Sequence, residues 1–229
     1  MGELAAAKPK LLLAVAGRPF ADHLLRLLAA EGVERIVLCV GHLGDQIRAY
    51  VGDGSSWGLE ADYVDEGENL RGTAGALRLA FDQGALAENF GVLYGDSYLR
   101  FDLAHAWSSF ANARADMLMC VIRNADRWDR SNAAVSAGRV VRYEKGVSDP
   151  LSAGLDHIDY GFSVLARDRT MPLVASDRPV DLGELYTELT AAGRVAAYEV
   201  EDRFYEIGSP EGLKELDELL ASAGSGGDR

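Results

Sequence analysis

The sequence predicts an α/β protein with a mostly parallel sheet flanked by helices and a small antiparallel hairpin in its second half. Short apolar runs alternate with stretches of helical hydrophobic spacing through the first half of the chain, and this alternation is typical of βαβ units. The length of 229 residues is enough for one α/β domain with a buried core. Residues 1–222 are therefore interpreted as one domain, followed by a polar Gly/Ser tail over 223–229 that we expect to be flexible.

The first half is predicted as an unbroken alternation of helices and strands. Pro19 opens a helix with Phe20, Leu24 and Leu28 on one face, and Gly32 follows its end. Proline at the first turn and glycine after the last one are typical of helix ends. The predicted strands cover 35–40, 60–64, 90–94 and 117–122, and the further predicted helices cover 42–51, 73–81 and 103–113.

The second half of the chain has a different pattern. Two short alternating runs, 132–136 and 139–143, surround Gly138 and predict a β-hairpin. The predicted strands that follow cover 158–165 and 195–200, and the predicted helices cover 181–192 and 210–221. We find no repeat, coiled coil or linker in this order.

Composition excludes several classes of partner. The formal net charge is −13, from 36 acidic and 23 basic residues, and without a Lys/Arg cluster the chain lacks the massed cations that nucleic-acid binding needs. Cys39 and Cys120 lie inside apolar runs and are interpreted as core residues of a protein in a reducing compartment. No apolar segment is long enough to span a membrane. We therefore expect a cytoplasmic protein with neither nucleic-acid nor membrane partners.

A single carboxylate, Asp96, follows the predicted strand 90–94. Ligands of open parallel sheets bind outside the carboxyl ends of the strands, where Asp96 can meet a metal or a phosphate without being buried unpaired. The alternative interpretation is a helix cap or a turn residue, which is a common role of Asp after Gly.

The segment 66–77 opens a predicted helix directly after a predicted strand and contains Gly67, Gly72 and Gly75. A helix start of this kind offers free backbone N–H groups, and its glycines let a flat ring or a phosphate approach the backbone. The alternative is a tight connection between strand and helix with Thr73 as the cap.

Two further segments combine charged residues with glycine. Glu144 and Lys145 end the predicted hairpin and can hold the phosphate and hydroxyls of a sugar, although such a pair is usually solvated. Glu206 and Gly208 precede the helix that begins at Pro210, and the simplest interpretation of that segment is a helix start with acids in its first turn.

Considered together, six segments resemble one family, and they occur in that family's order over nearly the whole chain. They are Pro9 to Pro19, Gly72 to Leu77, Gly95-Asp96, Glu144-Lys145, Ile158 to Gly161 and Glu206 to Glu211. The chain resembles the sugar-1-phosphate nucleotidyltransferases, the pyrophosphorylases that make nucleotide-activated sugars, for example for cell-surface polysaccharides, on a Rossmann-like (GT-A-like) sheet.

The resemblance implies a Mg²⁺-dependent displacement, in which a phosphate oxygen of the sugar attacks the α-phosphorus of a nucleoside triphosphate and pyrophosphate leaves. Such a transfer depends on positioning and charge neutralisation. By motif match, Asp96 holds the metal and Lys10 contacts the phosphates, which makes them the expected catalytic residues. Glu206 lies where the family usually has a second metal-binding Asp, and Glu also ligates Mg²⁺.

The resemblance also implies which residues bind the two substrates, a nucleoside triphosphate and a sugar 1-phosphate. The nucleotide side comprises Gly72 and Thr73 with Glu66 or Glu68 nearby, and the sugar-phosphate side comprises Glu144, Lys145, Gly161 and Asn132. The base and the sugar stay open: GTP with a mannose- or heptose-type sugar is expected first, and UTP or dTTP with a glucose- or muramate-type sugar next.

The chain departs from the family pattern at its beginning. Family members begin with a strand and a Gly-Gly-x-Gly-Thr-Arg-Leu loop that cradles the triphosphate, whereas residues 1–7 read Met-Gly-Glu-Leu-Ala-Ala-Ala. We therefore expect little or no turnover from this chain. We also expect either marginal stability or homo-oligomers formed through unpaired strand edges. Two explanations stay open: a recorded start downstream of the true one, or a natural short form.

Two other function classes are consistent with the sequence. A short form without activity is expected to bind a sugar phosphate, a nucleotide or a partner subunit as a regulator. A GT-A glycosyltransferase also uses an acid at a strand end, but it needs a second acid two residues away, whereas Ser97 and Tyr98 follow Asp96.

Overall fold

The computed structural model describes residues 8–224. The strands are β1 (Ala14–Val15), β2 (Arg18–Pro19), β3 (Arg35–Val40), β4 (Glu60–Asp65), β5 (Asn89–Leu93), β6 (Ser97–Tyr98), β7 (Met117–Arg123), β8 (Ala133–Ser136), β9 (Arg139–Tyr143), β10 (His157–Ala166), β11 (Val195–Glu199) and β12 (Tyr205–Glu206). The α-helices are α1 (Phe20–Ala30), α2 (Gly44–Val51), α3 (Gly72–Asp82), α4 (Leu103–Asn112), α5 (Arg167–Thr170), α6 (Leu182–Ala191) and α7 (Pro210–Gly224). Short 3₁₀ turns cover Lys10–Leu12, Ser55–Trp57 and Met171–Leu173.

The described chain divides into two compact units. Unit 1 comprises residues 8–69, 95–98 and 204–224, and unit 2 comprises residues 70–94 and 99–203. The interpretation of 1–222 as one domain stays a prediction. Of the predicted tail, residues 223 and 224 belong to α7, and residues 225–229 lie outside the described part of the chain.

Unit 1 is built around the parallel pair β3 and β4, which is in register over all six residues of each strand. Leu25 of α1, Val51 of α2 and Leu59 form a buried cluster, and Ile36 and Leu38 of β3 pack against it. Burying side chains of this size stabilises the fold by about 1.5–3 kcal/mol each. Two antiparallel ladders of two residues, β1–β2 and β6–β12, complete the pairing in this unit.

Unit 2 contains a six-stranded sheet in the order β5-β10-β7-β11-β9-β8. The strand β7 is buried from Met117 to Ile122, and a continuous apolar run of this kind is typical of a strand covered on both faces. The predicted hairpin is confirmed, because β8 and β9 pair antiparallel. A cap from Asp181 opens α6, with Glu184 completing a capping box.

The α/β fold class is confirmed, but the sheet of unit 2 is mixed and not mostly parallel as predicted. β11 pairs parallel with β7, whereas β10 runs antiparallel to both β5 and β7. The chain reaches β10 through the β8–β9 hairpin and a loop. Because that connection contains no crossover helix, it does not impose the parallel direction that a βαβ unit would.

The predicted helices and strands are confirmed with small shifts at their ends. The helix predicted over 42–51 begins at Gly44, after Leu43 at a positive φ of 62°, and the helix predicted over 210–221 extends to Gly224. Pattern reasoning missed the short strands β1, β2, β6 and β12, because two residues are too few to show a period. Within residues 8–224, no helix is long and apolar enough to cross a bilayer.

Candidate active site

Asp96 lies in the turn between β5 and β6. In the β6–β12 ladder, Ser97 lies opposite Glu206. The N–H of Ile207 donates to the carbonyl of Asp96 at 2.9 Å, which extends this pairing by one residue. The short ladder therefore brings Asp96 and Glu206, which are far apart in the sequence, next to each other in unit 1.

The carboxylates of Asp96 and Glu206 border the same small space beside Gly208. A Cβ added to Gly208 would lie 2.5 Å from Oε2 of Glu206 and 3.5 Å from Oδ2 of Asp96. Ser209 Oγ donates to Oε1 of Glu206 at 3.0 Å and accepts from the N–H of Gly212 at 3.0 Å. This cap at the start of α7 therefore fixes the Glu206 carboxylate with Oε2 beside Gly208.

Lys10 adds a positive charge to this group. Its Nζ lies 3.3 Å from Oδ2 of Asp96, and the two side chains are 47% and 33% exposed. Lys10 begins a 3₁₀ turn whose Leu12 is buried. The buried leucine anchors the backbone, while the ammonium group stays accessible to a ligand.

The donor set of Asp96 and Glu206 suits a hard divalent cation. Mg²⁺ is usually held by one or two carboxylates together with substrate phosphates, whereas Zn²⁺ prefers nitrogen and sulfur ligands. Over residues 8–224, no group of three or more His, Cys, Asp and Glu side chains is arranged to hold a metal. The pair therefore fits an ion that takes its remaining oxygen ligands from substrate and water.

The residues predicted for the nucleotide side fall into both units. Glu66 and Glu68 follow β4 in unit 1, where the N–H of Glu66 donates to the carbonyl of Val40 at 2.8 Å. Glu66 is half-buried and Glu68 is exposed. Gly72 and Thr73 begin α3 in unit 2.

The residues predicted for the sugar-phosphate side lie at one corner of unit 2. The N–H of Glu144 donates to the carbonyl of Asn132 at 2.8 Å. Oδ1 of Asn132 accepts from the N–H of Asp159 at 2.9 Å, and Oδ1 of Asp159 accepts from the N–H of Gly161 at 3.0 Å. These hydrogen bonds bring Asn132, Glu144 and Gly161 together, and Lys145 is the next residue after Glu144.

Asp159 links this corner, and sequence reasoning did not assign it a role. It lies in β10 where the register with β7 shifts, and bulges of this kind are common beside active sites. The hydroxyl of Tyr94 donates to its Oδ2 at 3.4 Å. Burial raises the pKa of Asp159 to about 6, against the opposing effects of the Gly161 hydrogen bond and the Lys145 charge. The motif 158–161 contains this Asp, but its burial depends on tertiary packing.

Glycine is required at position 72 because the backbone of Val180 lies close to the start of α3. The φ of Gly72 is +74°, and an added Cβ would lie 2.6 Å from the carbonyl oxygen of Val180. That carbonyl accepts from the N–H of Ala74 at 2.9 Å, and the N–H of Val180 donates to the carbonyl of Arg71 at 2.8 Å. The residue Val180, two positions before α6, is thus hydrogen-bonded to the first turn of α3.

Asp181, at the start of α6, is a second residue that sequence reasoning did not assign to the site. Its Oδ2 accepts from Thr73 Oγ1 at 3.1 Å, and its Oδ1 lies 3.6 Å from Nζ of Lys145. Although burial acts in the opposite direction, the hydrogen bond from Gly183 and the charge of Lys145 lower the pKa of Asp181. A sequence pattern identifies Asp181 as a helix cap but cannot show these two distant partners.

An open cavity of about 460 Å³ lies beside Asp181 in unit 2. Its lining residues are Tyr143, Lys145, Asp181, Gly183, Glu184, Thr187 and Glu188. The cavity therefore combines one cationic side chain with three carboxylates, a threonine and a tyrosine ring. Hydroxyl-rich ligands suit such a lining, because carboxylates accept hydrogen bonds from hydroxyls and the ammonium group donates them.

Comparison with solved structures shows which fold this chain shares. The putative glucose-1-phosphate thymidylyltransferase of Bacillus anthracis, in complex with a sucrose, matches with a TM-score of 0.80 at 18% identity, over 96% of this chain and 90% of that one. HddC of Yersinia pseudotuberculosis, complexed with GMP-PN, matches with a TM-score of 0.75 at 22% identity, over 93% and 90%. The fold is therefore that of the nucleotidyltransferases.

Sequence comparison shows the family. The model of the nucleotidyl transferase family matches residues 3–138. The mannose-1-phosphate guanylyltransferase of Mycobacterium tuberculosis is 31% identical over 215 residues, which are 91% of this chain and 57% of that protein. The chain thus spans little more than half the length of this relative. It belongs to the nucleotidyl transferase family, which confirms the resemblance of its motifs.

Proposed function

We propose that this protein is a sugar-1-phosphate nucleotidyltransferase, which transfers a nucleoside monophosphate from a nucleoside triphosphate to a sugar 1-phosphate. The observation that carries the proposal is the group formed by Asp96, Glu206 and Lys10 in unit 1. Two carboxylates border one space beside Gly208, and an ammonium group lies 3.3 Å from Asp96. This combination suits a polyphosphate that arrives with its metal ion.

The residues of this group have separate roles in the proposed reaction. Asp96 and Glu206 hold Mg²⁺, which when bound neutralises charge on the triphosphate. A phosphate oxygen of the sugar 1-phosphate forms a bond to the α-phosphorus, the bond from the α-phosphorus to the bridging oxygen breaks, and pyrophosphate leaves with that electron pair. Lys10 binds a phosphate oxygen, where its positive charge stabilises the negative charge that develops in the transition state.

The corner of unit 2 formed by Asn132, Glu144, Lys145 and Gly161 is proposed to bind the sugar 1-phosphate. Lys145 is half-exposed and supplies a charge for the phosphate. Glu144, whose Oε2 accepts from Arg142 at 2.6 Å, accepts hydrogen bonds from ring hydroxyls. Gly72 and Thr73 at the start of α3, with Glu66 or Glu68, are proposed for the nucleotide.

GTP and mannose 1-phosphate are the substrates that we propose first. The relative from Mycobacterium tuberculosis is a mannose-1-phosphate guanylyltransferase, and a structural neighbour was solved with GMP-PN. UTP or dTTP with glucose 1-phosphate are proposed as the next pair. We also propose that the reaction takes place in the cytoplasm and supplies sugar nucleotides for polysaccharide synthesis. Cys39 and Cys120 form no disulfide within residues 8–224, which supports a reducing compartment.

The test is release of pyrophosphate from a nucleoside triphosphate, with a sugar 1-phosphate and Mg²⁺ present. We expect release at a low rate, because residues 1–7 do not carry the Gly-Gly-x-Gly-Thr-Arg-Leu motif. The release should require all three components and stop when the metal is chelated. Asp96→Asn and Lys10→Met are each expected to lower kcat/KM by about 100-fold, because each removes a charge that stabilises the transition state. Matched controls are Asp45→Asn and Lys214→Met, which change an exposed Asp of α2 and a Lys of a surface ion pair.

Three results would contradict the proposal. Absence of pyrophosphate release with every pair of substrates, together with measurable binding of a sugar 1-phosphate, would indicate the non-catalytic homologue instead. Transfer of a sugar from a nucleotide sugar would indicate a glycosyltransferase. Equal losses in Asp96→Asn and Asp45→Asn would show that Asp96 has no special role.

A further inference from the structure

Asp181 contacts two side chains that the proposed function assigns to different substrates. Its Oδ2 accepts from Oγ1 of Thr73 at 3.1 Å, on the nucleotide side. Its Oδ1 lies 3.6 Å from Nζ of Lys145, on the sugar-phosphate side. Oδ1 also accepts from the N–H of Gly183 at 2.7 Å, as the cap of α6. One carboxylate thus touches both halves of the proposed substrate-binding surface of unit 2.

Two hydrogen bonds hold the Thr73 hydroxyl in its contact with Asp181. The Thr73 hydroxyl accepts from the N–H of Leu182 at 2.7 Å while it donates to Asp181. Because the hydroxyl uses its proton on Asp181 and a lone pair on Leu182, its orientation is determined. The backbone bonds of Val180 to the first turn of α3 hold the same junction.

The contact with Lys145 is looser and leaves that residue available. The Lys145 side chain is 51% exposed, and its ammonium group has two further protons beyond the one that faces Asp181. A lysine side chain is long and flexible, so a fixed neighbouring charge restricts where its ammonium group lies. Lys145 is therefore held at the cavity while it can still bind a phosphate oxygen.

We propose that Asp181 is a positioning residue for both substrates: its carboxylate orients Thr73 at the start of α3 and holds the ammonium group of Lys145 at the sugar-phosphate corner. This inference rests on the proposed function. Because the pair is more than half exposed, water and salt screen the repulsion between Asp181 and a phosphate bound by Lys145.

The experiment measures the affinities of wild-type protein and Asp181→Asn for mannose 1-phosphate and for GTP, each by calorimetry. Asn still caps a helix, so the bond from Gly183 and the folded state are retained. We expect affinity for each substrate to fall by about 5-fold or more, in keeping with the loss of one hydrogen bond to a charged group. Asp181→Ser, which also caps and lacks the carboxylate, gives the same loss if positioning is the cause.

The matched control is Asp168→Asn, which removes one negative charge from an exposed ion pair with Arg167 in the same unit. Asp168 does not line the cavity, and its change is expected to leave both affinities within about 2-fold. Thr73→Val separates the two contacts, because it is expected to lower the affinity for GTP and to leave the affinity for mannose 1-phosphate unchanged. The double variant Thr73→Val/Asp181→Asn should bind GTP as Asp181→Asn does, because the same hydrogen bond is already lost in the single variant.

The possible results separate this inference from the proposed function. If wild-type protein binds mannose 1-phosphate and Asp181→Asn binds it equally well or more tightly, the positioning role is wrong and the proposed function stands. Additive effects of Thr73→Val and Asp181→Asn on GTP affinity would also contradict it. If wild-type protein binds none of the sugar 1-phosphates or nucleotides, both the proposed function and this inference are overturned.

Discussion

Asp159 connects the chemistry of a single side chain to the stability of unit 2. Its carboxylate accepts from Gly161 and from Tyr94, yet burial raises its pKa to about 6. An unfolded Asp titrates near 3.8, so the folded state binds the proton more tightly. Between about pH 4 and pH 6, folding therefore takes up a proton, and stability falls as the pH rises through this window.

Asp159→Asn is expected to stabilise the protein at neutral pH. Asn has almost the same shape, and it is not ionised, so the cost of a buried charge disappears. We expect the free energy of unfolding to rise by about 1–2 kcal/mol at pH 7.5. This gain is smaller than the free energy that corresponds to the whole pKa shift, because the side chain is partly exposed. At pH 4 the gain should vanish. Urea unfolding at both pH values measures the difference.

The control for this prediction is Asp62→Asn, which removes a carboxylate from an exposed ion pair with Arg35 at 2.6 Å. We expect a change of about 0–1 kcal/mol at pH 7.5 with no stabilisation. A destabilised Asp159→Asn at pH 7.5 would show that the charged form of Asp159 is favoured by folding, contrary to the raised pKa.

At the scale of elements, the junction between α3 and α6 is the connection on which the site of unit 2 depends. The first turn of α3 gives its N–H groups to the carbonyl of Val180, and Gly72 leaves room for that carbonyl. This contact gives Gly72 a structural requirement that is separate from the nucleotide role proposed for it. The start of α3 is thus an assembled feature of the tertiary fold.

Gly72→Ala is expected to lower the free energy of unfolding by about 2–4 kcal/mol. Part of the loss comes from alanine at a φ of +74°, and the rest from a Cβ placed 2.6 Å from a backbone oxygen. Gly84→Ala is a matched control, since Gly84 has a φ of +71° and nothing within 4 Å of an added Cβ. The free energy of unfolding of Gly84→Ala should fall by only about 1 kcal/mol. Equal losses of stability for the two variants in urea unfolding would show that the contact with Val180 does not add to the cost of Gly72→Ala.

The order of the elements could be predicted because their signals are local. The helix α1 lies between Pro19 and Gly32, and β7 is a continuous apolar run. The direction of β10 could not be predicted, because strand pattern shows which residues are buried and carries no information about direction. Tertiary packing determines that β10 pairs with β5 and β7, and in which direction.

Site residues could be proposed from motifs only where the motif itself contains them. Asp96 follows a strand and is recognisable for that reason, whereas Asp181 looks like an ordinary helix cap until Thr73 and Lys145 are found beside it. Those partners are distant in sequence, so no local spacing reveals them. The same holds for the burial of Asp159.

At the scale of the whole molecule, the edges of the β3–β4 pair in unit 1 bear on the oligomeric state. Within residues 8–224 these two strands pair only with each other, and parallel strands are usually part of larger covered sheets. The residues from Ile36 to Cys39 are only half-buried. Strand edges of this kind can pair with a second copy of the chain.

We therefore expect the protein to form homo-oligomers in solution. Light scattering coupled to size-exclusion chromatography should give a mass near twice the 24.7 kDa of one chain, or a higher multiple, that falls on dilution. Monomers at all concentrations tested would contradict the prediction.

Unit 1 is assembled from separated stretches of chain, and this determines when the carboxylate pair can form. Lys10 and Asp96 are synthesised long before Glu206, which arrives with the stretch 204–224. Most of unit 2 is made in between, from 99 to 203, and can complete its sheet while the ribosome is still adding residues. A nascent chain that has not reached residue 206 therefore holds Lys10 and Asp96 without their partner, and the proposed ability to hold a metal ion arises only after residues 204–224 have been added.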